Sequence, residues 1–186
     1  MPSAYQIDKQ DSAYFLTCTV VEWVDLFIRD THKLVIADNL NYCVENLGLE
    51  IFAYVIMPSH LHMIVSAKND DLSKIIGGFK MFTSRQLIKM IQSNQESRRN
   101  WMLPIFKNAG QKNPRNKDYQ LWQQNNHAEE VYSPKFTLSK INYIHNNPVE
   151  EGFVERPEDY LYSSARDYSG LKSPVKVSMI ELHLLF

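Results

Sequence analysis

Two apolar runs separated by a Pro58–Ser59 break constrain the fold of this chain more than any other feature. The first run, residues 50–57, is apolar on both faces of a strand, which is typical of an inner strand of a sheet. The second run, residues 60–67, begins with two histidines one residue apart. Since alternate strand residues point to the same side, His60 and His62 share one face. The pattern predicts two strands joined by a tight turn.

The histidine pair is a candidate metal site. Two imidazoles about 7 Å apart on one strand face are placed to bind a single metal ion. Two ligands alone do not hold a metal, however, and a half-buried strand with two ordinary histidines explains the pair equally well. The choice between these interpretations depends on whether residues elsewhere complete the site.

Composition indicates a single soluble domain. The 186 residues are 44% hydrophobic and 22% charged, which is ordinary for a globular protein, so we expect one domain over residues 1–186 with a tail at 172–186. Two cysteines without CxxC spacing favour a reducing compartment and argue against a Cys-rich metal site. The N-terminus lacks a signal-peptide pattern, and no apolar run is long enough to span a bilayer. We therefore expect a cytoplasmic protein with no membrane partner.

The remaining patterns complete an α+β arrangement. They predict, in order, a strand at 14–21, helices at 31–46 and 70–93, a strand at 119–123 and a helix at 133–147. Pro148 is expected to end the last helix, because the residue before a proline disfavours helical geometry. The order predicts an antiparallel sheet with helices on one face and the other face open for a site.

A basic segment interrupts this order. The formal net charge is only −1, but residues 94–118 contain six basic residues and two acidic ones. We expect a long polar connection with a short helix near 98–103. A chain with unevenly distributed charge can present a phosphate-binding face. A solvated loop that happens to be basic explains the same composition equally well.

Tyr143 and Asn147 can complete the histidine site. They stand four residues apart in the last predicted helix and therefore lie on one face. An amide oxygen is a suitable ligand for Mg²⁺ or Mn²⁺, and a phenol can act as a covalent nucleophile. A helical tyrosine more often packs into a core, and this chain has ten tyrosines. The pair therefore needs independent support.

That support comes from two motifs in a fixed order. The sequence His-Leu-His at 60–62, followed by Tyr-Ile-His-Asn-Asn-Pro-Val at 143–149, resembles the single-tyrosine HUH transposases of insertion-sequence type. The likeness is greatest to the REP-associated tyrosine transposases and spans about residues 14–171. Residues 79–84, 121–123 and 156–164 are also similar to family signatures. Ser59 departs from the pattern, since the family usually has asparagine there.

The resemblance implies both a fold and a chemistry. The fold would be a ferredoxin-like α+β sandwich, with four to five antiparallel strands and helices packed on them. The activity would be that of a metal-dependent endonuclease and strand transferase for single-stranded DNA. Tyr143 would attack the scissile phosphate and form a 5′-phosphotyrosine, while His60, His62 and Asn147 would bind Mg²⁺ or Mn²⁺. His145 would be structural or would contact DNA.

The implied partner is single-stranded DNA with a hairpin, either REP-like or from an insertion-sequence end. The protein would act on it as a monomer or homodimer and would associate with the nucleoid when bound. We expect affinity from six cations that contact phosphates: Lys74, Lys80, Arg85, Lys89, Arg98 and Arg99. Trp101 and Trp122 are candidates for stacking on unpaired bases, although a core role is favoured for Trp122.

Two other functions stay open on the sequence. The chain could be a sequence-specific DNA-binding protein that keeps this fold but no longer cleaves. It could also be a metallohydrolase of small substrates that uses His60, His62 and His127, which would make the Tyr143–Asn147 pairing a coincidence. The intact set of four site residues favours the nuclease.

Overall fold

A four-stranded antiparallel sheet forms the centre of the computed structural model, which describes residues 6–69, 71–93, 96–114 and 118–180. Within these residues the strands are β1 (Tyr14–Thr19), β2 (Leu49–Ile56), β3 (His60–Ala67) and β4 (His127–Glu130). Their order in the sheet is β2-β3-β1-β4. This strand order, with helices after β1 and β3, is that of a ferredoxin-like α+β sandwich, which confirms the predicted fold class.

Helices cover both faces of the sheet. Those in the described residues are α1 (Asp30–Leu47), α2 (Leu72–Gln92), α3 (Arg99–Gln111), α4 (Pro134–Glu150) and the short α5 (Ala165–Tyr168). Helices α1 and α2 pack against each other, and α4 packs against β2 and β3. The helices leave a core that includes fully buried Leu16, Leu26, Phe27, Ile36 and Tyr54. No helix among the described residues is long and apolar enough to cross a membrane.

The basic segment is mainly helical, which corrects the prediction of a long connection with a short helix. Helix α3 buries Met102, Phe106 and Gly110, which are spaced four residues apart and therefore share one face. Gly110 permits a close approach, because a Cβ at this position would lie 2.6 Å from the backbone oxygen of Asp118. The asparagines and Pro104 weakened the sequence signal for this helix.

The prediction of a strand at 119–123 is wrong. Among the described residues this segment makes only an isolated bridge between Val20 and Trp122, and β4 lies further along the chain. The indole of Trp122 is buried and donates a hydrogen bond to Thr83 at 3.0 Å. The apolar pattern here therefore reflects core packing rather than strand pairing.

Helix α4 continues past the position where Pro148 was expected to end it. Pro148 lies inside the helix and is buried, and the Glu151 amide still donates to the Asn147 carbonyl at 3.0 Å. The chain turns away at Gly152, whose φ of 74° is in the left-handed region that glycine adopts without strain. Tyr143 and Asn147 consequently lie in one uninterrupted helix.

A buried carboxylate anchors α3 to the segment before α1. Glu96 is 4% exposed and pairs with Arg29 at 2.9 Å and with Arg98 at 3.2 Å. Arg98 also pairs with Asp25 at 3.3 Å. The Arg98 side chain, predicted to contact DNA, is thus engaged in holding the fold together.

Glu96→Gln should lower the free energy of unfolding by about 2 kcal/mol at neutral pH. The expected loss is smaller than the full cost of breaking a buried ion pair, because both arginines are partly exposed. Burial raises the pKa of Glu96, but hydrogen bonds from Arg98 and the charges of Arg98 and Arg29 outweigh it and hold the pKa below its usual value. The stabilisation is therefore present above the pKa of the unfolded carboxyl and disappears as the pH falls through the folded pKa.

Urea unfolding from about pH 7 to about pH 3 measures this difference. The wild-type and Glu96→Gln curves should converge in acid. Glu45→Gln, which removes an exposed partner of Lys176, is the matched control and should change stability by less than about 0.5 kcal/mol. A gap between wild type and Glu96→Gln that is independent of pH would contradict the assignment.

Candidate active site

Strand β3 and helix α4 bring the two sequence motifs together. The Tyr143 hydroxyl lies 3.4 Å from Nε2 of His62, and the His60 and His62 ring centroids are 4.6 Å apart. Asn147, one turn after Tyr143 on the same face of α4, lies close enough to His60 to influence the pKa of its imidazole. The structure therefore gathers all four predicted site residues in one place.

Hydroxyl groups hold both imidazoles in a fixed orientation. Nδ1 of His62 is 2.9 Å from the Thr17 hydroxyl, and Nδ1 of His60 is 3.1 Å from the Ser59 hydroxyl. Thr17 is opposite His62 in the β1–β3 register, so their side chains share a face. With each Nδ1 engaged, Nε2 is the nitrogen left to bind a ligand. Ser59, the departure from the family pattern, therefore contacts a site residue besides forming the turn.

Both histidines are neutral at physiological pH. Burial is the main cause and lowers the pKa of His60 to about 4, against a smaller opposing effect of the nearby Asn147 amide. Burial also lowers the pKa of His62 to about 3, assisted by His60, Lys140 and His127. Neutral imidazoles are the form that binds metal ions.

Asn147 provides an oxygen beside these nitrogens. The residue is 6% exposed, and its Oδ1 is buried without a hydrogen-bond partner within the described residues. Such unsatisfied oxygens are rare in folded proteins. Two neutral imidazole nitrogens and an unpaired amide oxygen form a donor set that fits a divalent cation.

His127 does not complete an alternative metal cluster. Its Nε2 is 3.0 Å from Glu129 of the same strand. The part of the chain that the structure describes contains no group of three His, Cys, Asp or Glu residues able to hold a metal.

Tyr143 faces the solvent side of the site. It is 41% exposed, and its ring contacts Phe15 edge-on at a centroid distance of 5.9 Å. Burial, with the charges of Glu150 and Glu151, raises the pKa of the phenol above its usual value. The hydroxyl is therefore protonated at neutral pH and accessible to a substrate.

A lysine that the sequence analysis did not single out lies beside the site. Lys140 precedes Tyr143 by one turn, and its Nζ lies 4.3 Å from the Phe15 ring centroid and 3.0 Å from Glu129. It was missed because β4, which carries Glu129, was not predicted. The contact places a cation next to the aromatic ring on which Tyr143 and His62 pack.

The cations predicted to contact DNA lie elsewhere. Lys80 and the Cys18 thiol both donate to the side-chain oxygen of Asn126, and Cys18 faces the opposite side of the sheet from Thr17, so α2 covers the face away from the histidines. The Lys80 ammonium donates to the Gln123 carbonyl and to Asn126 at 2.7 Å each. Lys74, Arg85 and Lys89 are exposed on α2, and Arg99 is half-buried on α3. Their contacts with DNA stay predictions.

His145 packs between α4 and the segment that contains Ser164 and Tyr168. It is 9% exposed, and its Nε2 is 2.9 Å from the Ser164 hydroxyl, which also bonds to the backbone of Tyr54. The His145 ring packs edge-on against Tyr168. These contacts fasten α4 to β2 and favour a structural role for this part of the motif.

Known proteins resemble this chain in sequence and in fold. Residues 19–109 match the model of the family described as "Transposase IS200 like". A Haemophilus influenzae protein named as a REP-associated tyrosine transposase is 26% identical over 148 residues, which are 75% of this chain and 76% of the relative. The solved structure of a REP-associated tyrosine transposase bound to a REP hairpin superposes with a TM-score of 0.61 and 18% identity, covering 97% of this chain and 96% of that one.

The superposition supports the fold, and the sequence matches support the family. The family match includes the histidine motif of β3 and ends before α4. The chain is similar to the IS200-like transposases, a family of DNA-cleaving and rejoining enzymes.

Proposed function

We propose that this protein is a metal-dependent nuclease and strand transferase for single-stranded DNA beside a hairpin, with Tyr143 as its nucleophile. The observation that carries the proposal is the approach of the Tyr143 hydroxyl to within 3.4 Å of His62, a residue of the other motif. The REP hairpin bound to the structural relative supports hairpin DNA as the substrate class.

The reaction follows from the groups that meet. The Tyr143 oxygen attacks the scissile phosphorus, the bond from phosphorus to the 3′ oxygen breaks, and a 5′-phosphotyrosine forms. The phenolic proton passes to solvent, to which the side chain is open, and the leaving oxygen takes up a proton to become a 3′-hydroxyl. The phosphotyrosine conserves the ester bond, so a 3′-hydroxyl can later attack it and rejoin strands without an external energy source.

His60, His62 and Asn147 would hold Mg²⁺ or Mn²⁺ in this proposal. A divalent cation polarises the phosphate and offsets the charge that develops in the transition state. All three side chains are uncharged at neutral pH, so they leave the cation its full charge. The donor set and the unpaired Asn147 oxygen are the support for this assignment.

The shape of the site favours a polymer substrate. Two large clefts, of about 800 and 730 Å³, are lined by other residues and include neither histidine nor Tyr143. The nucleophile Tyr143 is 41% exposed, so the site is open to solvent at this residue. Enzymes of small molecules usually enclose most of their substrate, whereas a DNA strand can lie across an open surface.

A covalent adduct tests the proposal directly. The protein is incubated with Mn²⁺ and single-stranded oligonucleotides that carry a hairpin, and the products are separated in a denaturing gel. An adduct that survives denaturation is expected. Binding without an adduct would favour the DNA-binding protein that no longer cleaves, and no binding would contradict both DNA functions.

Asn147→Leu should separate stability from metal binding. The substitution removes a buried oxygen without a partner, so the free energy of unfolding should rise by about 1 kcal/mol. Mn²⁺ affinity should fall by about tenfold or more, because one of three donors is lost. Thermal unfolding and calorimetric Mn²⁺ titration measure the two effects.

Asn146→Leu is the matched control for this variant. Asn146 is exposed on the same helix, and its side-chain amide donates to the Asn142 carbonyl. Neither the stability nor the Mn²⁺ affinity should therefore change. A loss of stability by Asn147→Leu with unchanged Mn²⁺ affinity would contradict a ligand role for Asn147.

A further inference from the structure

An exposed tryptophan stands beside the metal-site histidines. Trp23 lies in the turn between β1 and α1 and is 60% exposed. Its ring contacts His60 edge-on at a centroid distance of 5.6 Å. Unlike Trp122, which is in the core, Trp23 presents most of its aromatic surface to solvent next to the proposed phosphate position.

The backbone that carries this ring has an unfavourable conformation. Glu22 and Trp23 have φ values of 53° and 55°, and they are the only non-glycine residues with positive φ in the described part of the chain. Bulky side chains rarely occupy this region, and strain of this kind clusters at ligand-binding sites. Backbone hydrogen bonds fix the turn, from Val21 to Leu121 at 2.9 Å and from Trp23 to Val20 at 3.1 Å.

A cleft with both polar and apolar lining residues adjoins Trp23. Its volume is about 730 Å³, and Glu22 and Trp23 line it together with the last turns of α3. Residues in its wall include Asn108 of α3, Lys112 directly after α3, and Gln124 of the segment that leads to β4. Amides can hydrogen-bond to base edges, and a lysine can bind a phosphate. Trp23 therefore stands between the histidine site and a cleft with nucleotide-binding chemistry.

We propose that Trp23 stacks on an unpaired DNA base next to the cleaved phosphate, and that the strand continues over the ring into this cleft. The inference rests on the proposed nuclease function, because that function places a phosphate at His60. Stacking on an aromatic ring accepts any base, so Trp23 contributes affinity and strand position while the amides of the cleft supply base preference.

Binding of a DNA hairpin with about ten unpaired nucleotides on each side tests the proposal. The parent is Tyr143→Phe, which cannot cleave during the measurement. Adding Trp23→Ala should weaken binding by about 5- to 100-fold in fluorescence anisotropy, whereas Trp23→Phe should keep most of the affinity. An abasic nucleotide is then placed at each unpaired position in turn. At one position the effect of Trp23→Ala should disappear, because the base that stacks is already absent.

Two further variants separate stacking from folding. Trp23→Gly removes the ring but suits the left-handed backbone, so it should melt at a higher temperature than Trp23→Ala while binding equally weakly. Tyr42→Ala is the matched control, since Tyr42 is a 57% exposed aromatic residue on α1, and it should bind like the parent. Low affinity in the stable Trp23→Gly variant cannot come from unfolding.

The outcomes separate this inference from the proposed function. Parent-like binding by Trp23→Ala overturns the stacking proposal, and a wild-type adduct in the same preparation leaves the nuclease proposal standing. An equal loss of affinity at every abasic position also overturns stacking at one base. A position-specific Trp23 effect without any wild-type adduct supports stacking and contradicts cleavage.

Discussion

Replacing Tyr143 by Phe is expected to abolish the covalent protein–DNA adduct and to leave hairpin binding unchanged. Phenylalanine keeps the ring contacts with Phe15 and His62, at centroid distances of 5.9 and 5.2 Å, and loses only the hydroxyl. Removal of a nucleophile typically costs about 10⁴-fold or more in rate. The lost contact with His62 is long, so stability should change by less than about 1 kcal/mol.

A denaturing gel with labelled hairpin DNA and Mn²⁺ measures this effect, and anisotropy measures binding in parallel. Tyr132→Phe is the matched control, because Tyr132 is 75% exposed just before α4 and should retain the adduct. An adduct from Tyr143→Phe would assign the nucleophile to another residue. Mass spectrometry of the digested adduct would then identify that residue.

The elements that could be predicted from the sequence are those whose buried residues recur at a regular strand or helix spacing. Strand β3 and helices α1 and α2 lie within about two residues of their predicted bounds, because their buried faces recur at strand or helix spacing. Strand β4 has no such pattern. It pairs with β1 through the backbone, and its Glu130 and Glu129 form ion pairs with Lys9, which precedes β1, and with Lys140 of α4.

Only those residues of the candidate site that belong to a sequence motif could be predicted. His60, His62, Tyr143 and Asn147 follow from two short motifs, but periodicity assigns a residue to a helix face and does not reveal which side of the sheet the helix covers. Lys80 of α2 consequently lies across the sheet from the histidines. Contacts such as those of Thr17, Trp23 and Lys140 with the site depend on packing between elements, which one sequence does not encode locally.

Removal of divalent cations should stop adduct formation as completely as Tyr143→Phe does. The Tyr143 phenol is a weak nucleophile because its pKa is raised, first by burial and then by Glu150 and Glu151. Without a cation at the phosphate, little offsets the charge that forms during attack, so a loss of about 10³-fold or more is expected. Chelation with EDTA followed by Mn²⁺ addition measures the loss and its reversal.

His60→Ala tests whether the imidazoles are the reason for that dependence. Loss of one ligand should weaken Mn²⁺ binding, so adduct formation should fall at low Mn²⁺ and recover partly when Mn²⁺ is in excess. A purely structural histidine would give a defect that added Mn²⁺ does not correct. His127→Asn tests the alternative in which His127 is the third metal ligand. Because the His127 ring bonds to Glu129, this variant should keep wild-type Mn²⁺ affinity. Loss of Mn²⁺ affinity in His127→Asn, with retention in Asn147→Leu, would instead assign the third ligand to His127.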